Sequence, residues 1–419
     1  MERTTCCVVG GGPAGMMLGL LLARAGVQVT VLEKHGDFLR DFRGDTVHPS
    51  TLRLLDELGL GDRFAALNQS CLDEVAFPVA GSDTMLVVAD FRRLPGRYRH
   101  IAMVPQWDLL NLLAEAAAAE PSFTLRMNTE VTGVVRDATG RVDGVEYRTT
   151  DGTTGTLQAE LTVACDGRWS VLRSAGDLPV TEFPMPMDAW WFRLPRKPGE
   201  RASALSPQMQ NGRFGVVIPR EGFLQIAYLA RKGIDGQLRA RGVEAFRRDI
   251  AELIPWAADR VDSIASMDDV KYLDVRLNRL RQWHRDGLLC IGDAAHAMSP
   301  IGGVGINLAV QDAVATATLL AGPLRASEQE GRHVRPDELA AVRRRRLLPT
   351  ILVQRLQRLL HRAIVVPVLS GTRAGAPRPV VALMRRFPPA TAIPAYLIGI
   401  GFRPEHAPAF ARRASVPAD

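Results

Sequence analysis

Thr4-Thr5-Cys6-Cys7-Val8-Val9-Gly10-Gly11-Gly12-Pro13-Ala14-Gly15 is the stretch that decides the fold. Its first half reads as a buried strand, and Pro13 then opens a helix that extends to about Ala25, a position where proline's fixed φ is already suited to the first turn. A second apolar strand, Val27 to Leu32, ends at Glu33. Strand, GxGxxG, helix, strand and acid in that order describe a βαβ unit that holds a dinucleotide. Gly10 permits the tight turn, Gly12 lets the main chain approach a pyrophosphate, and Gly15 lets the helix sit close to the strand. The free N–H groups of the helix N-terminus then receive the phosphate charge. Glu33, 18 residues beyond Gly15, stands where a carboxylate accepts hydrogen bonds from a ribose diol. NAD and FAD both carry an ADP moiety, so this motif alone fits either.

Two later segments narrow the choice. Leu161-Thr162-Val163-Ala164-Cys165 is a short apolar strand running into Asp166-Gly167-Arg168-Trp169-Ser170-Val171-Leu172-Arg173. Gly287-Leu288-Leu289-Cys290-Ile291 runs into Gly292-Asp293-Ala294-Ala295-His296 and on through Pro300, Gly303, Gly305 and Asn307. Each strand ends in Gly and Asp at the edge where doubly wound sheets bind ligands. In motif order and distance the chain resembles the FAD-dependent aromatic hydroxylases, the class A flavoprotein monooxygenases. These share the fold of p-hydroxybenzoate hydroxylase and the ubiquinone-biosynthesis hydroxylases. The resemblance spans roughly residues 4 to 320. It implies an α/β architecture: a Rossmann-like FAD-binding domain, a β-sheet substrate domain and a helical C-terminal region.

The resemblance also implies cofactor contacts. Gly10, Gly12, Pro13, Ala14, Gly15, Glu33 and Lys34 would hold the ADP half of FAD, Arg43 would lie along the cofactor, and Gln106 would open a helix against the ribityl and phosphate region. Val131 would meet the adenine through its backbone and Asp166 would sit beside the pyrophosphate. Gly292 and Asp293 would hold a ribityl hydroxyl, with Pro300 shaping the turn beside the ring. Gly303, Val304, Gly305, Ile306 and Asn307 would run under the pyrimidine edge of the flavin, where a helix N-terminus favours the negative charge of the reduced ring. His296 is expected to be structural. Val304 stands where the family often has Gln, which leaves backbone contacts at that position.

Residues 1–75, 98–177 and 270–330 are assigned to the FAD domain, 76–97 and 178–269 to the substrate sheet, and 331–419 to a helical basic region. Strand-like runs at Trp190–Leu194, Phe214–Ile218 and Phe223–Tyr228 would roof the flavin. Trp190, Arg193, Gln225 and Tyr228 are the substrate-contact candidates, and His48 and Tyr228 the acid/base candidates. Alternation separates Gln225 from Tyr228, and Trp190 from Trp191, without saying which face points inward.

With 419 residues, 47 % hydrophobic and 23 % charged, the chain has the composition of a packed globular protein. The net charge of +7 is carried by the tail, where sixteen arginines face four acids from Gly331 onward, so no nucleic-acid partner is inferred. The five cysteines have no metal-ligand or redox spacing, and no metal is expected. Arg343 to Arg346, followed by Leu352, Leu356 and Leu359 among arginines, reads as a basic amphipathic helix that either touches an anionic membrane or lies over the FAD domain, the latter being favoured. With no signal-peptide layout, a cytoplasmic location is expected.

The resemblance implies a monooxygenase in which a transient NAD(P)H reduces FAD. A flavin C4a-hydroperoxide then delivers one atom of O2 to an aromatic, polyketide-like or other apolar secondary metabolite. The alternative is a cyclase on the same scaffold that uses its flavin structurally. A halogenase is excluded, since the chain lacks a WxWxxP segment and any lysine between Lys34 and Lys197.

Overall fold

The computed structural model describes residues 2–39, 46–79, 85–200, 205–210, 212–372 and 378–414. The opening stretch forms β1 (Glu2–Val9), α1 (Pro13–Arg24) and β2 (Val29–Leu32). From Thr4 onward β1 is buried, and a strand buried on both faces needs a layer on each side. α1 supplies one and is itself buried from Ala14 to Ala23. The chain passes through α2 (Pro49–Glu57) and α3 (Gln106–Ala118) and returns to the sheet as β3 (Phe123–Arg126). β4 (Thr129–Arg136) and β5 (Val142–Thr149) make an antiparallel hairpin, and β6 (Thr154–Ala164) follows. The first half of β6 pairs with β5 and alternates in exposure, while its last six residues are buried beside β1. The apolar run from Leu161 therefore marks only the inner end of a longer strand.

A second sheet is antiparallel throughout, in the order β8 (Ser206–Gln210), β9 (Arg213–Pro219), β10 (Phe223–Arg231), β7 (Met187–Pro195), β11 (Lys271–Leu273). Trp190, Phe192, Leu194, Leu224, Ile226 and Tyr228 point to one face and form a core with α4 (Gly242–Leu253) and the turns after it. Phe246 of α4 meets Phe192 and Tyr228 edge-on at 5.3 and 5.7 Å. The other face carries Trp191, Phe214, Val216, Ile218 and Leu229 and looks toward the parallel sheet's loops. A strand cannot present both Trp190 and Trp191 to one side, and it is Trp190 that the α4 core takes.

β12 (Leu288–Cys290) completes the first sheet, whose parallel order is β12, β6, β1, β2, β3. α5 (Gly305–Glu330) lies against α1. It is long and apolar enough to cross a membrane, yet 78 % of its apolar window is buried inside the fold, so it serves as a core helix. α6 (Pro336–Leu360) packs on α5 and continues through a π-turn at His361–Val365. α7 (Ala392–Gly399) packs against the strand Met85–Asp90.

The face by which α6 docks is not its leucine stripe. Leu352 and Leu356 are half-buried and Leu359 is exposed, whereas Arg346, Thr350, Gln354 and Gln357 are all buried. The reason lies in what α6 covers: a loop whose backbone groups have no ladder of their own and must find side-chain partners.

Candidate active site

The loops that follow β1, β6 and β12 touch one another. Gly10, at φ +104°, sits so close to the end of β6 that a Cβ there would lie 2.5 Å from the Cys165 carbonyl oxygen and 3.1 Å from the Asp166 Cα. A Cβ on Gly15 would run into the Gly10 carbonyl oxygen, so α1 can start tight against the turn only with glycine there. A Cβ on Gly12 meets nothing among the described residues within 4 Å, which leaves space over the helix N-terminus. On the β12 side, a Cβ on Gly292 would be 3.2 Å from the Ala14 Cβ. Two glycines are thus fixed by the protein's own packing, and Gly12 faces space that a ligand backbone can enter.

Carboxylates surround that space. Glu33 at the end of β2 is buried and accepts from the Gly11 N–H at 2.8 Å and the His35 N–H at 3.0 Å, while Lys34 beside it is exposed. Asp166 accepts from the Leu172 N–H at 3.3 Å through Oδ2, but its Oδ1 is buried with no partner among the described residues, and burial pushes its carboxyl up. Asp293 is half-buried, with the Arg168 guanidinium 4.0 Å away. The buried Arg173 donates to the Ala294 carbonyl at 3.3 Å and the Arg168 carbonyl at 2.8 Å, tying the two Gly-Asp loops together.

The loop from Gly292 to Gly303 is bracketed from two sides. Gln357 of α6 accepts from the Ser299 N–H at 3.1 Å and donates to the carbonyls of Ser299 and Ile301 at 2.9 and 3.0 Å. Ser299 Oγ lies 2.9 Å from His361 Nε2, and Gln354 donates to the Asn278 carbonyl at 2.7 Å. From the other side, Thr46 donates to the Gly303 carbonyl at 2.9 Å and His48 Nε2 to the Gly302 carbonyl at 3.1 Å. Ser50 and Thr51 donate to Asn307 Oδ1 at 2.9 and 2.6 Å. Between the brackets α5 begins at Gly305, presenting the unpaired N–H groups that open any helix.

Asp312, two turns further along the buried face of α5, accepts from His296 Nε2 at 2.6 Å, the Gly292 N–H at 3.1 Å and Arg346 Nε at 2.9 Å. Burial alone would raise its carboxyl, but the His296 ring and the Arg346 guanidinium hold it below the ordinary carboxylate range. His296 is buried against Trp283, their ring centroids 5.1 Å apart, and points away from the open space.

Several expectations are corrected. His48 is wholly enclosed, its imidazole lowered to about 4 by burial, and its Nε2–H supports the Gly302 turn, an environment that does not fit the acid/base role expected of it. Trp190 and Tyr228 face α4: the indole N–H of Trp190 donates to Asp235 at 2.8 Å, and burial pushes the Tyr228 phenol up. The tryptophan on the inner face is Trp191. Gln225 shares that face but accepts from Arg220 Nε at 3.1 Å, and Arg193, also on it, lies exposed with its guanidinium 4.8 Å over the Phe223 ring. The Val304 side chain turns toward Leu308 and Val353, and Ile306 packs into the main core. Pro300 begins the turn that ends at Gly303. Gln106 opens α3 and is buried; the Thr129 N–H donates to the Glu33 carbonyl at 2.9 Å, which brings nearby Val131 to the same edge. Arg43 lies outside the described residues.

A family model described as FAD binding domain matches residues 3–342. The chain belongs to that FAD binding domain family. It is an FAD-dependent monooxygenase, 35 % identical over 355 residues to the 6-methylpretetramide 4-monooxygenase of Streptomyces rimosus, a match covering 82 % of this chain and 80 % of that one. It is also 24 % identical over 322 residues to the dialkyldecalin synthase of Streptomyces rugosporus, covering 74 % of this chain and 63 % of that one. Among solved structures, the OxyS anhydrotetracycline hydroxylase of Streptomyces rimosus superposes with a TM-score of 0.73 at 22 % identity over 96 % of this chain and 77 % of that one, and so shares the p-hydroxybenzoate hydroxylase fold. The FAD-family glycine loop fits its group on this chain's own terms, with the open Gly12 beside two packed glycines and the unpartnered Asp166 Oδ1 in the same wall.

Proposed function

We propose that this monooxygenase hydroxylates a polycyclic aromatic polyketide held between the inner face of the second sheet and the loop from Ser299 to Gly305. The observation that carries the reading is the mutual contact of three strand-end loops, the last of which leads into α5 and packs its Ile301 in one apolar cluster with the inner face of the second sheet. Bound there, FAD supplies hydride acceptance from a visiting NAD(P)H and the activation of O2.

The residues divide the work. The Gly10–Gly15 turn and the α1 N-terminus take the pyrophosphate, and Glu33 exchanges its bond to Gly11 for a ribose hydroxyl. Asp166 borders the pyrophosphate and Asp293 the ribityl chain. The N–H groups at Gly305 and Ile306 stabilise negative charge at the ring edge. Ile301, Val216 and Leu229 pack together above the loop and exclude water from the reacting face. The substrate class is supported by the name of the 35 %-identical relative.

The test is incubation of the holoenzyme with NADPH or NADH, isotopically labelled O2 and a panel of tetracyclic phenols that includes anhydrotetracycline, followed by mass spectrometry. The reading expects a product carrying one labelled oxygen. An unoxidised isomer formed without nicotinamide would overturn it in favour of a cyclase.

A further inference from the structure

One buried donor on the inner face has no assigned task. Trp191 stands in a row with Val216 and Ala227 across β9, β10 and β7. Its ring is partly buried, yet its Nε1–H is shut off from solvent and has no hydrogen-bond partner among the described residues. The neighbouring Trp190 shows what such a group ordinarily finds, a carboxylate at 2.8 Å. Leaving an indole N–H buried and unpaired is costly, and folded proteins keep few such groups without a reason.

Its surroundings supply the reason. Trp191 packs into a cluster containing Met103, Ile218, Ile398 and Ile400. Ile398 of α7 belongs at once to this cluster and to the group formed by Val304, Leu308 and Val353 at the first turn of α5. On the opposite flank Val216, the indole's row neighbour, belongs to the cluster that includes Ile301 of the bracketed loop. Through Ile398 and Val216 the indole's cluster joins both apolar groups beside the start of α5, and the indole carries a polar atom where its named neighbours carry none. Trp283 Nε1, another buried donor without a partner among the described residues, lies behind the loop against His296.

We propose that Trp191 is the specificity-determining residue of the substrate site. Its Nε1–H donates to a phenol, phenolate or quinone oxygen on a planar, otherwise apolar ring system, while Ile398 and Ile400 of the C-terminal segment form the wall against the ring. The proposal rests on the aromatic-polyketide reading above. It makes the C-terminal segment part of the substrate pocket, so relatives that differ in α7 should differ in the ring shapes they accept.

The test uses holoenzyme and anhydrotetracycline, with binding followed by the fluorescence anisotropy of the probe in the absence of NAD(P)H. Trp191→Phe is compared with Trp191→3-benzothienylalanine, which keeps the bicyclic shape and deletes only the N–H. The expected result is about tenfold weaker binding in both, the loss of one hydrogen bond, with FAD content and thermal midpoint of the benzothienyl variant unchanged. Product formed per NAD(P)H oxidised should fall in parallel. Wild-type affinity in the benzothienyl variant overturns the donor role, whatever Trp191→Phe does. Failure of the unaltered enzyme to bind any tetracyclic phenol of the panel overturns the substrate reading itself, and this proposal with it.

Discussion

Asp312 Oδ2 and His296 Nε2 meet at 2.6 Å, and neither side chain touches solvent. The pair joins a helix that begins at the candidate flavin edge to the loop that leads into it. With Arg346 on the other carboxylate oxygen, and Glu405 at 3.5 Å from Arg346, it forms a buried charged strut between α5, α6 and the Gly292 loop. Removing one partner of such a strut leaves the other charge uncompensated.

Asp312→Asn should therefore lose about 3–5 kcal/mol of stability and much of its FAD, because Arg346 is left with only the more distant Glu405 carboxylate and Gly292 and His296 lose an anionic acceptor. The double variant Asp312→Asn/Arg346→Met should recover part of the stability. Urea unfolding with FAD retention as a second readout checks this, and an Asp312→Asn protein as stable as the parent would contradict the strut.

The glycines of the first loop should separate. Gly15→Ala collides with the Gly10 carbonyl oxygen and should yield little folded protein. Gly12→Ala meets no protein atom within 4 Å and should fold normally while binding FAD at least about tenfold more weakly. Circular dichroism and flavin content of the two variants distinguish packing from ligand contact; full FAD in Gly12→Ala would remove Gly12 from the cofactor site.

Stability should fall on the acid side. Burial lowers His48 and His361 from 6.5 to about 4, so both stay neutral in the fold while the unfolded chain protonates. Their contribution is full above about pH 6.5 and declines as the pH drops toward about 4, by up to about 1.4 kcal/mol per pH unit for each histidine. In His361→Gln the slope of unfolding free energy against pH should be shallower by one proton. An unchanged slope would show that His361 is protonated in the folded enzyme.

Tyr228→Phe should leave turnover within about twofold, since the phenol lies in the α4 core and not on the inner face. A loss of activity of a hundredfold or more, measured as product per unit time, would return Tyr228 to the acid/base role that its strand position first suggested.

That reassignment shows where the sequence was legible and where it was not. The βαβ unit was readable because Gly10, Gly12, Gly15 and Glu33 each answer a local geometric demand, and the strands of the second sheet because β-branched and aromatic residues cluster in short runs. Alternation split Trp190 from Trp191, but only the position of α4 decides which face is core. The docking face of α6 was hidden for a different reason. A leucine stripe normally marks the buried side of a helix, yet here the need to satisfy the backbone at Asn278, Ser299 and Ile301 turned Gln354 and Gln357 inward, with His361 beside them on the Ser299 hydroxyl. Their spacing of three and four residues was visible in the sequence; the loop they serve was not. Asp312, a carboxylate in the middle of an apolar helix, was a further buried charge that the pattern could have flagged.

The central claim is that the three converging loops hold a redox-active FAD. The most direct test is the visible spectrum of the purified protein under anaerobic conditions, before and after NADPH or NADH, with a tetracyclic phenol present. The account predicts a bound flavin whose oxidised band is bleached by the nicotinamide and returns when air is admitted. A bound flavin that only dithionite reduces, or a purified protein that takes up no flavin, would contradict it.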